Sequence, residues 1–342
     1  MSAHAHAAPL ERGSLNIVVL MGGPSAEHAI SLKSGQGITD ALRTRGWTVD
    51  PLVIPDAVST EAACQFTMRA LQQRQPDVAF IALHGAFGED GTVQRLCDAL
   101  HVAYTGSDAA ASRLGMDKLA SRRRFEQAGL AVPRWQALAF GTDRAPSLDG
   151  WSYPLVIKPS NQGSSLGVSI VLRPDEFDEA LEAAGRYSSQ VLIEEFVAGR
   201  ELTVGVLGEE PLPIVEICPR HPFFDFAAKY TPGSTDYLVP APLPPELTQR
   251  VQALGRAAHH ALGCRHFSRA DVILSDGGTP VLLEVNTIPG FTPTSLLPKA
   301  AACAGLAYDE LCERLVLMAC ASAKRVGGGA WQDAARTAPI HA

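Results

Sequence analysis

The apolar pattern opens at Asn16, which is followed by five apolar residues, IVVLM, and then by Gly22-Gly23. A continuous apolar run that short, ending in a glycine turn, predicts a parallel strand buried on both faces. Thr48 to Ile54 and Val78 to Leu83 read as the second and third strands, with helical patterns between them. Ser25 is expected to cap the first helix, which runs to about Arg45. Glu61 to Arg74 and Val93 to about Leu100 supply the next two. This strand–helix alternation predicts an open parallel α/β sheet with right-handed crossovers.

The texture then changes. Met116 to Ala128 reads as one charged helix, and two apolar runs, PLVIK and GVSIVL, flank the glycine/serine loop PSNQGSS within residues 154–172. Pro174 to Ala184 is helical, and Val191 to Glu195 and Glu201 to Leu207 are strands. Residues 219–242 are rich in Pro, Phe, Tyr and Gly and read as a long loop; loops of that length in a compact domain are usually functional lids. Leu247 to Leu262 is a helix. Ala270 to Leu274 and Pro280 to Asn286 form a hairpin around Ser275-Asp276-Gly277-Gly278, and Leu296 to Cys320 is helical. There is no internal repeat, and residues 1–14 and 327–342 read as flexible tails.

Composition narrows the function classes. A chain of 342 residues with 46% hydrophobic and 19% charged positions is globular and long enough for two or three domains. A net charge of −7 speaks against a general nucleic-acid or anionic-membrane binder. No apolar run approaches the length of a spanning helix, and the first residues lack the apolar core of a signal peptide. Seven scattered cysteines without a CxxC pair fit free thiols in a reducing cytoplasm, the location expected for the chain.

Four segments carry candidate chemistry. The turn from Gly22 to His28 joins a strand to a helix N-terminus, a natural site for an anion or polar ligand. Its spacing does not match GxGxxG, which removes a dinucleotide fingerprint with Asp50 as ribose acid. His84-Gly85 and Gly88-Glu89-Asp90-Gly91 follow the third strand, and read equally as backbone close to a ligand or as a solvated acidic loop. No lysine follows a glycine anywhere, so a Walker A loop is excluded. Lys158 with the loop after it can still fold over phosphates through backbone N–H groups. Asp271 stands on one strand of the hairpin, and Glu284 and Asn286, two apart, share a face of the next. Such an oxygen set suits magnesium bridging polyphosphate oxygens. His259, His260, Cys264 and His266 cluster in sequence, but their spacing fits no zinc motif.

Taken together and in order, the strings GGPSAEHAIS, ALHGAFGEDG, YTGSDAAASRLGMDK, VIKPSNQGSSLGVS, LIEEF, ELTV, AAKY, FSRADV and LLEVNTIPGFTPTS resemble the bacterial D-alanine–D-alanine ligases of the ATP-grasp superfamily. The resemblance runs from about Asn16 to Lys324. It implies an ATP-grasp fold behind the N-terminal parallel α/β domain: a substrate domain at 15–113, a central subdomain at 114–195, and a C-terminal subdomain at 196–326 carrying the lid. It implies that ATP phosphorylates one D-alanine carboxylate and that the amine of a second D-alanine attacks the acylphosphate. By matching position, Lys118 and Lys158 should hold the ATP phosphates, and Lys229 should reach the transferred one. Glu194 and Glu201 should line the adenine and ribose pocket, with Glu195 to Val197 contributing backbone. Asp271, Glu284 and Asn286 should bind two Mg2+ (or Mn2+) ions. Arg269 and the N–H of Gly290 should steady the oxyanion. Glu27 should bind the first substrate's ammonium, His84 should lie near its carboxylate side, and Ser295 should hold the second substrate's carboxylate. Ser164 and Tyr230 should link the substrate site to the lid. A homodimer is also implied, with small molecules rather than nucleic acid or membrane as partners.

Two departures accompany the resemblance. Phe224 and Phe226 stand in FFDFAAKY where many relatives carry tyrosines, and the loop reads SNQGSS where many carry a charge. A D-alanine–D-lactate ligase is the alternative within the family, and Tyr230 argues for the dipeptide form. A non-catalytic nucleotide-binding protein is the third reading; the presence of Asp271, Glu284, Asn286, Arg269 and Lys158 argues against it.

Overall fold

The structure, a computed structural model, describes residues 14–141, 148–163, 166–220 and 234–327. Its first third follows the apolar runs. β1 (Asn16–Gly22), α1 (His28–Thr44), β2 (Thr48–Ile54), α2 (Thr60–Arg74), β3 (Val78–Ile81), α3 (Thr92–Ala99) and β4 (Ala103–Tyr104) build a parallel sheet in the order β2-β1-β3-β4. Alternate residues of β1 serve two cores. Ile17, Val19 and Met21 pack with Ile38 and Leu42 of α1, whereas Val18 and Leu20 pack with the α2 and α3 side. That division is why the run has no polar position.

The first helix starts later than its sequence signal suggests. Ser25 does not cap it: the Ser25 hydroxyl donates to the His84 carbonyl (2.7 Å) and accepts from Glu27 N–H, and the helix begins at His28. Ser25 therefore ties the turn after β1 to the end of β3. The expected helix 116–128 is α5 (Lys118–Gln127), and a helix with no counterpart in the sequence expectations, α4 (Ala109–Met116), precedes it across extended Asp117. The Asp117 carboxylate accepts the N–H groups of Leu119 and Ala120, each at 3.0 Å, and so starts α5 at Lys118.

The second sheet, β5-β8-β6-β7, is antiparallel and consists of β5 (Trp135–Ala139), β6 (Leu155–Pro159), β7 (Ser169–Val171) and β8 (Gln190–Glu195), with α6 (Phe177–Gly185) across one face. The third comprises β9 (Gly199–Leu207), β10 (Glu210–Pro211), β11 (Val215–Pro219), β12 (Thr235–Leu238), β13 (Phe267–Ser275) and β14 (Pro280–Asn286). Its order is β12-β11-β9-β13-β14, with β10 on β9 and α7 (Pro245–Leu262) packed behind. Two expectations are corrected here. Residues 235–238, placed within the lid, form a strand that pairs with β11, and the expected helix 296–320 is broken. Gly305, at φ +82°, ends α8 (Leu296–Cys303) before α9 (Tyr308–Gly327) begins. Residues 221–233 of the lid lie outside the described residues.

The histidines near the end of α7 each have their own partner. His259 Nδ1 lies 2.7 Å from Ser268 Oγ, and His260 Nε2 lies 2.7 Å from Glu209 Oε2. The third ring, His266, accepts from Gly106 N–H at Nδ1 and meets Ser322 at Nε2.

Candidate active site

A cavity of about 630 Å³ lies where the parallel sheet meets the β13–β14 hairpin and the start of α8. Its N-terminal wall is built at the strand ends, where ligands of open α/β sheets gather. Glu27 sits in the turn before α1, and His84 follows β3. Gly85 lets the Glu27 carboxylate come close to the backbone that follows His84. Its φ is +70°, and a Cβ there would stand 2.8 Å from Glu27 Oε2. The Gly85 N–H donates to Glu89 Oε1 (2.8 Å), and buried His84 has Nε2 2.9 Å from Ser34 Oγ. Burial pushes the Glu89 carboxyl above its ordinary range; the His84 ring and the Gly85 N–H oppose the shift. The glycine-rich loop after β3 is thus a wall of the cavity.

The opposite wall is the hairpin. Asp271 pairs with Glu284 and Arg269 with Asn286 across the ladder, and the register slips just beyond Asp271. Asp271 is almost wholly buried and accepts four hydrogen bonds. Arg269 Nε and Thr203 Oγ1 reach Oδ1 at 2.9 and 2.7 Å, while Arg269 Nη2 and Asn286 Nδ2 reach Oδ2 at 2.8 and 3.1 Å. Burial alone would lower the Arg269 pKa, but the Asp271 carboxylate raises it above the ordinary arginine value. Glu284 faces Lys118, whose Nζ lies 3.3 Å from Glu284 Oε2 and donates to the Gln162 carbonyl at 2.8 Å. Lys118 thereby links α5, the glycine/serine loop and β14.

The third wall is the segment from Thr287 to Leu296. Ser295 stands at the N-cap of α8, where its Oγ accepts the Thr292 N–H (3.0 Å) and lies 2.8 Å from Thr292 Oγ1. A Cβ on Gly290 would meet Ser295 Oγ at 3.2 Å, so Gly290 keeps its backbone close to that hydroxyl.

The cavity therefore brings together Glu27, His84, Lys118, Arg269, Glu284, Asn286, Gly290 and Ser295. Asp271 lies just behind Arg269. Lys158 and Glu194 do not line the cavity, and their side chains are turned to each other: Lys158 Nζ is 2.5 Å from Glu194 Oε2, and Arg122 holds Oε1 at 2.5 Å. Glu194 is expected at the adenine and ribose, yet its carboxylate is committed to this buried triad. Glu195 is exposed at the end of β8, and Val197 and Glu201 are half-buried; none of the three lines the cavity. Ser164, Lys229 and Tyr230 lie outside the described residues.

Several residues at the site have no expected role from sequence. Lys33 lines the cavity with Ile30, one turn before it on α1, and with Glu27 at the start of that helix. Tyr237 reaches the cavity from β12. Arg122 was hidden in the run Arg122-Arg123-Arg124, although it stands one turn after Lys118.

The donor set fits hard divalent cations that arrive with phosphate oxygens. Two carboxylates and one amide oxygen fall short of a full coordination shell, and magnesium sites commonly combine one or two carboxylates with substrate phosphates. Among the described residues no group of three or more His, Cys, Asp or Glu side chains forms an all-protein metal cage.

A parallel α/β domain joined to two antiparallel sheets, with carboxylates and buried cations in the cleft, defines an α/β enzyme of the ATP-grasp class. Profiles described as D-ala D-ala ligase N-terminus and D-ala D-ala ligase C-terminus match residues 55–107 and 125–317. The D-alanine–D-alanine ligase of Geobacter sulfurreducens is 42% identical over 320 residues, covering 93% of this chain and 98% of the relative. That of Syntrophotalea carbinolica is 45% identical over 300 residues, covering 88% and 94%. The crystal structure of the Bacillus anthracis D-alanine–D-alanine ligase complexed with ATP matches with a TM-score of 0.80 at 33% identity, covering 92% of this chain and 100% of that one. The chain belongs to the D-alanine–D-alanine ligase family.

Proposed function

We propose that the chain is an ATP-dependent ligase that joins two D-alanines into D-alanyl-D-alanine, for peptidoglycan precursor synthesis, through an acylphosphate. The observation that carries this reading is the make-up of one cavity. Glu27 and His84 enter from the N-terminal sheet, Arg269, Glu284 and Asn286 from the hairpin, and Gly290 and Ser295 from the segment at α8. The names of relatives that match across most of the chain support the choice of substrate.

In the first step a carboxylate oxygen of one D-alanine attacks the γ-phosphorus of ATP. ADP leaves and D-alanyl phosphate forms. In the second step the amine of another D-alanine attacks the carbonyl carbon, loses a proton, and expels phosphate together with the oxygen that came from the carboxylate. The substrates react with each other, so no covalent side-chain nucleophile is needed and catalysis rests on positioning and charge.

We assign Glu27 to the first substrate's ammonium, His84 to the carboxylate side of its pocket, and Ser295 to the second substrate's carboxylate. Arg269 holds Asp271 through Nε and Nη2, which leaves Nη1 for the oxyanion beside the Gly290 N–H. Lys118, Lys158 and Lys229 hold the phosphates, Glu195, Val197 and Glu201 lie toward the adenine and ribose, and Ser164 and Tyr230 connect the site to the lid. Asp271, Glu284 and Asn286 would hold two Mg2+ or Mn2+ ions, which neutralise polyphosphate charge. A cytoplasmic homodimer completes the reading.

The test is ADP formation by the full chain with ATP and magnesium, with and without D-alanine. Strict dependence on D-alanine, lost in Glu284→Gln, is expected. ADP formation that ignores D-alanine would sink the assignment.

A further inference from the structure

Arg122 is the largest fully buried side chain among the described residues, 1% exposed, and no step of the proposed reaction uses it. It projects from α5 one turn after Lys118. Its Nε and Nη2 both lie 2.5 Å from Glu194 Oε1, and its Nη1 donates to the Leu282 carbonyl at 3.4 Å. The other Glu194 oxygen, Oε2, takes Lys158 Nζ at 2.5 Å. Glu194 is 2% exposed and Lys158 8%.

Two buried cations therefore share one buried carboxylate. Burying a charge is costly unless it is paired, so a group built only for stability would be expected to balance. Counted over these three side chains the group keeps a surplus of one positive charge, with Glu284 the next carboxylate acting on Lys158. Arg122 and Glu194 satisfy each other on the inner side, which leaves Lys158 only partly neutralised at the start of the glycine/serine loop. Burial pushes the Lys158 ammonium down in pKa and Glu194 holds it up; Glu194 itself is kept below the usual carboxylate range by Arg122 and Lys158 despite its burial. A surplus of this kind is the feature an anionic ligand completes.

We propose that Arg122 is a positioning residue for the nucleotide's phosphates. By occupying Glu194 it prevents that carboxylate from cancelling the charge on Lys158, and by bonding Leu282 it fixes β14 two residues before Glu284. Without Arg122, Glu194 and Lys158 form a neutral pair and the pull on a phosphate weakens. This inference rests on the reading of Lys158 as a phosphate-binding residue.

The test compares ADP, which carries phosphates, with adenosine, which does not, by calorimetric titration of the full chain in magnesium. Arg122→Met should weaken ADP binding at least tenfold and adenosine binding less than threefold. Arg122→Lys should recover most of the ADP affinity. The double variant Arg122→Met with Glu194→Gln removes the cancelling carboxylate and should bind ADP several-fold more tightly than Arg122→Met alone, a rescue that a purely structural role would not give. It also avoids an unpaired buried carboxylate, so it serves if the single variant does not fold; ADP affinity within a few-fold of the parent is then expected. Equal losses for ADP and adenosine, unchanged ADP affinity, or a double variant that binds ADP tenfold or more weaker than the parent would overturn the proposal. A parent chain that binds ADP but makes no dipeptide would refute the ligase reading alone. A parent that makes dipeptide while Arg122→Met keeps full ADP affinity would refute the role of Arg122 alone.

Discussion

Asp271 and Glu284 are assigned to the same cations, yet their surroundings predict different costs of substitution. Asp271 accepts four hydrogen bonds, from Arg269, Thr203 and Asn286. In Asp271→Asn one oxygen becomes an NH2 group facing donors, and Arg269 loses its counter-charge in a site where its side chain is only 16% exposed. Breaking a buried pair from one side costs about 3–5 kcal/mol. Other carboxylates, Glu284 and Glu89, act on Arg269 and place the value near the lower end, about 3 kcal/mol. At roughly 1.4 °C per kcal/mol for a chain of this length, melting should fall by about 4 °C. Glu284 is a third exposed and stands 3.3 Å from Lys118, so Glu284→Gln should cost no more than about 1 kcal/mol, or about 1.4 °C. Thermal melting of both variants by circular dichroism, without nucleotide, gives the comparison, and a dipeptide assay should find both inactive. An Asp271→Asn protein that melts within 2 °C of the parent, or a Glu284→Gln protein that melts below the Asp271→Asn protein, would refute the reasoning.

Three further outcomes follow from the geometry. Burial lowers His259 and His266 to about 4, below the 6.5 of an exposed ring. The unfolded chain therefore binds protons that the fold refuses: stability is full above pH 6.5 and falls as pH drops toward 4. The loss is on the order of 2 kcal/mol per ring by pH 5, and denaturant midpoints at pH 7 and pH 5 should show it, less steeply in His259→Gln. Gly85→Ala should displace Glu27 and lower kcat/KM for D-alanine by roughly tenfold to a hundredfold, while ADP affinity measured by titration stays near that of the parent. Glu313→Ala removes the carboxylate on α9 that accepts Trp47 Nε1 (2.8 Å) and Arg45 Nε (2.6 Å). It should cost about 1–3 kcal/mol of stability by denaturant titration, with turnover at 25 °C unchanged.

The parallel sheet was legible because strands buried on both faces are continuous apolar runs, as Ile17 to Met21 of β1 and all of β3 are. The β13–β14 hairpin was legible for a second reason. Its turn is rich in glycine, and its two strands carry oxygens that a buried apolar run tolerates only with partners. What stayed hidden depends on contacts between distant segments. Arg122 looks like its exposed neighbours Arg123 and Arg124, and only packing against β8 and β14 sets it apart. Thr203 supports Asp271 from β9, a link of 68 residues that no local pattern announces. Ser25 carried a correct polar signal with the wrong partner: its hydroxyl joins the His84 carbonyl and not the helix. Asp117 did hold a readable signal, an N-cap residue directly before Lys118, which starts the helix at 118 and not at 116.

The central claim, that a D-alanine carboxylate is activated by phosphorylation in this cavity and then captured by a second D-alanine, is tested most directly with D-alanine labelled in both carboxylate oxygens with 18O. Mass spectrometry of the products formed with ATP and magnesium should find D-alanyl-D-alanine and phosphate in equal amounts. Each phosphate should carry one 18O, since the carboxylate oxygen that attacked phosphorus leaves with it. Phosphate without label, or labelled D-alanine that never appears as dipeptide, would contradict the account.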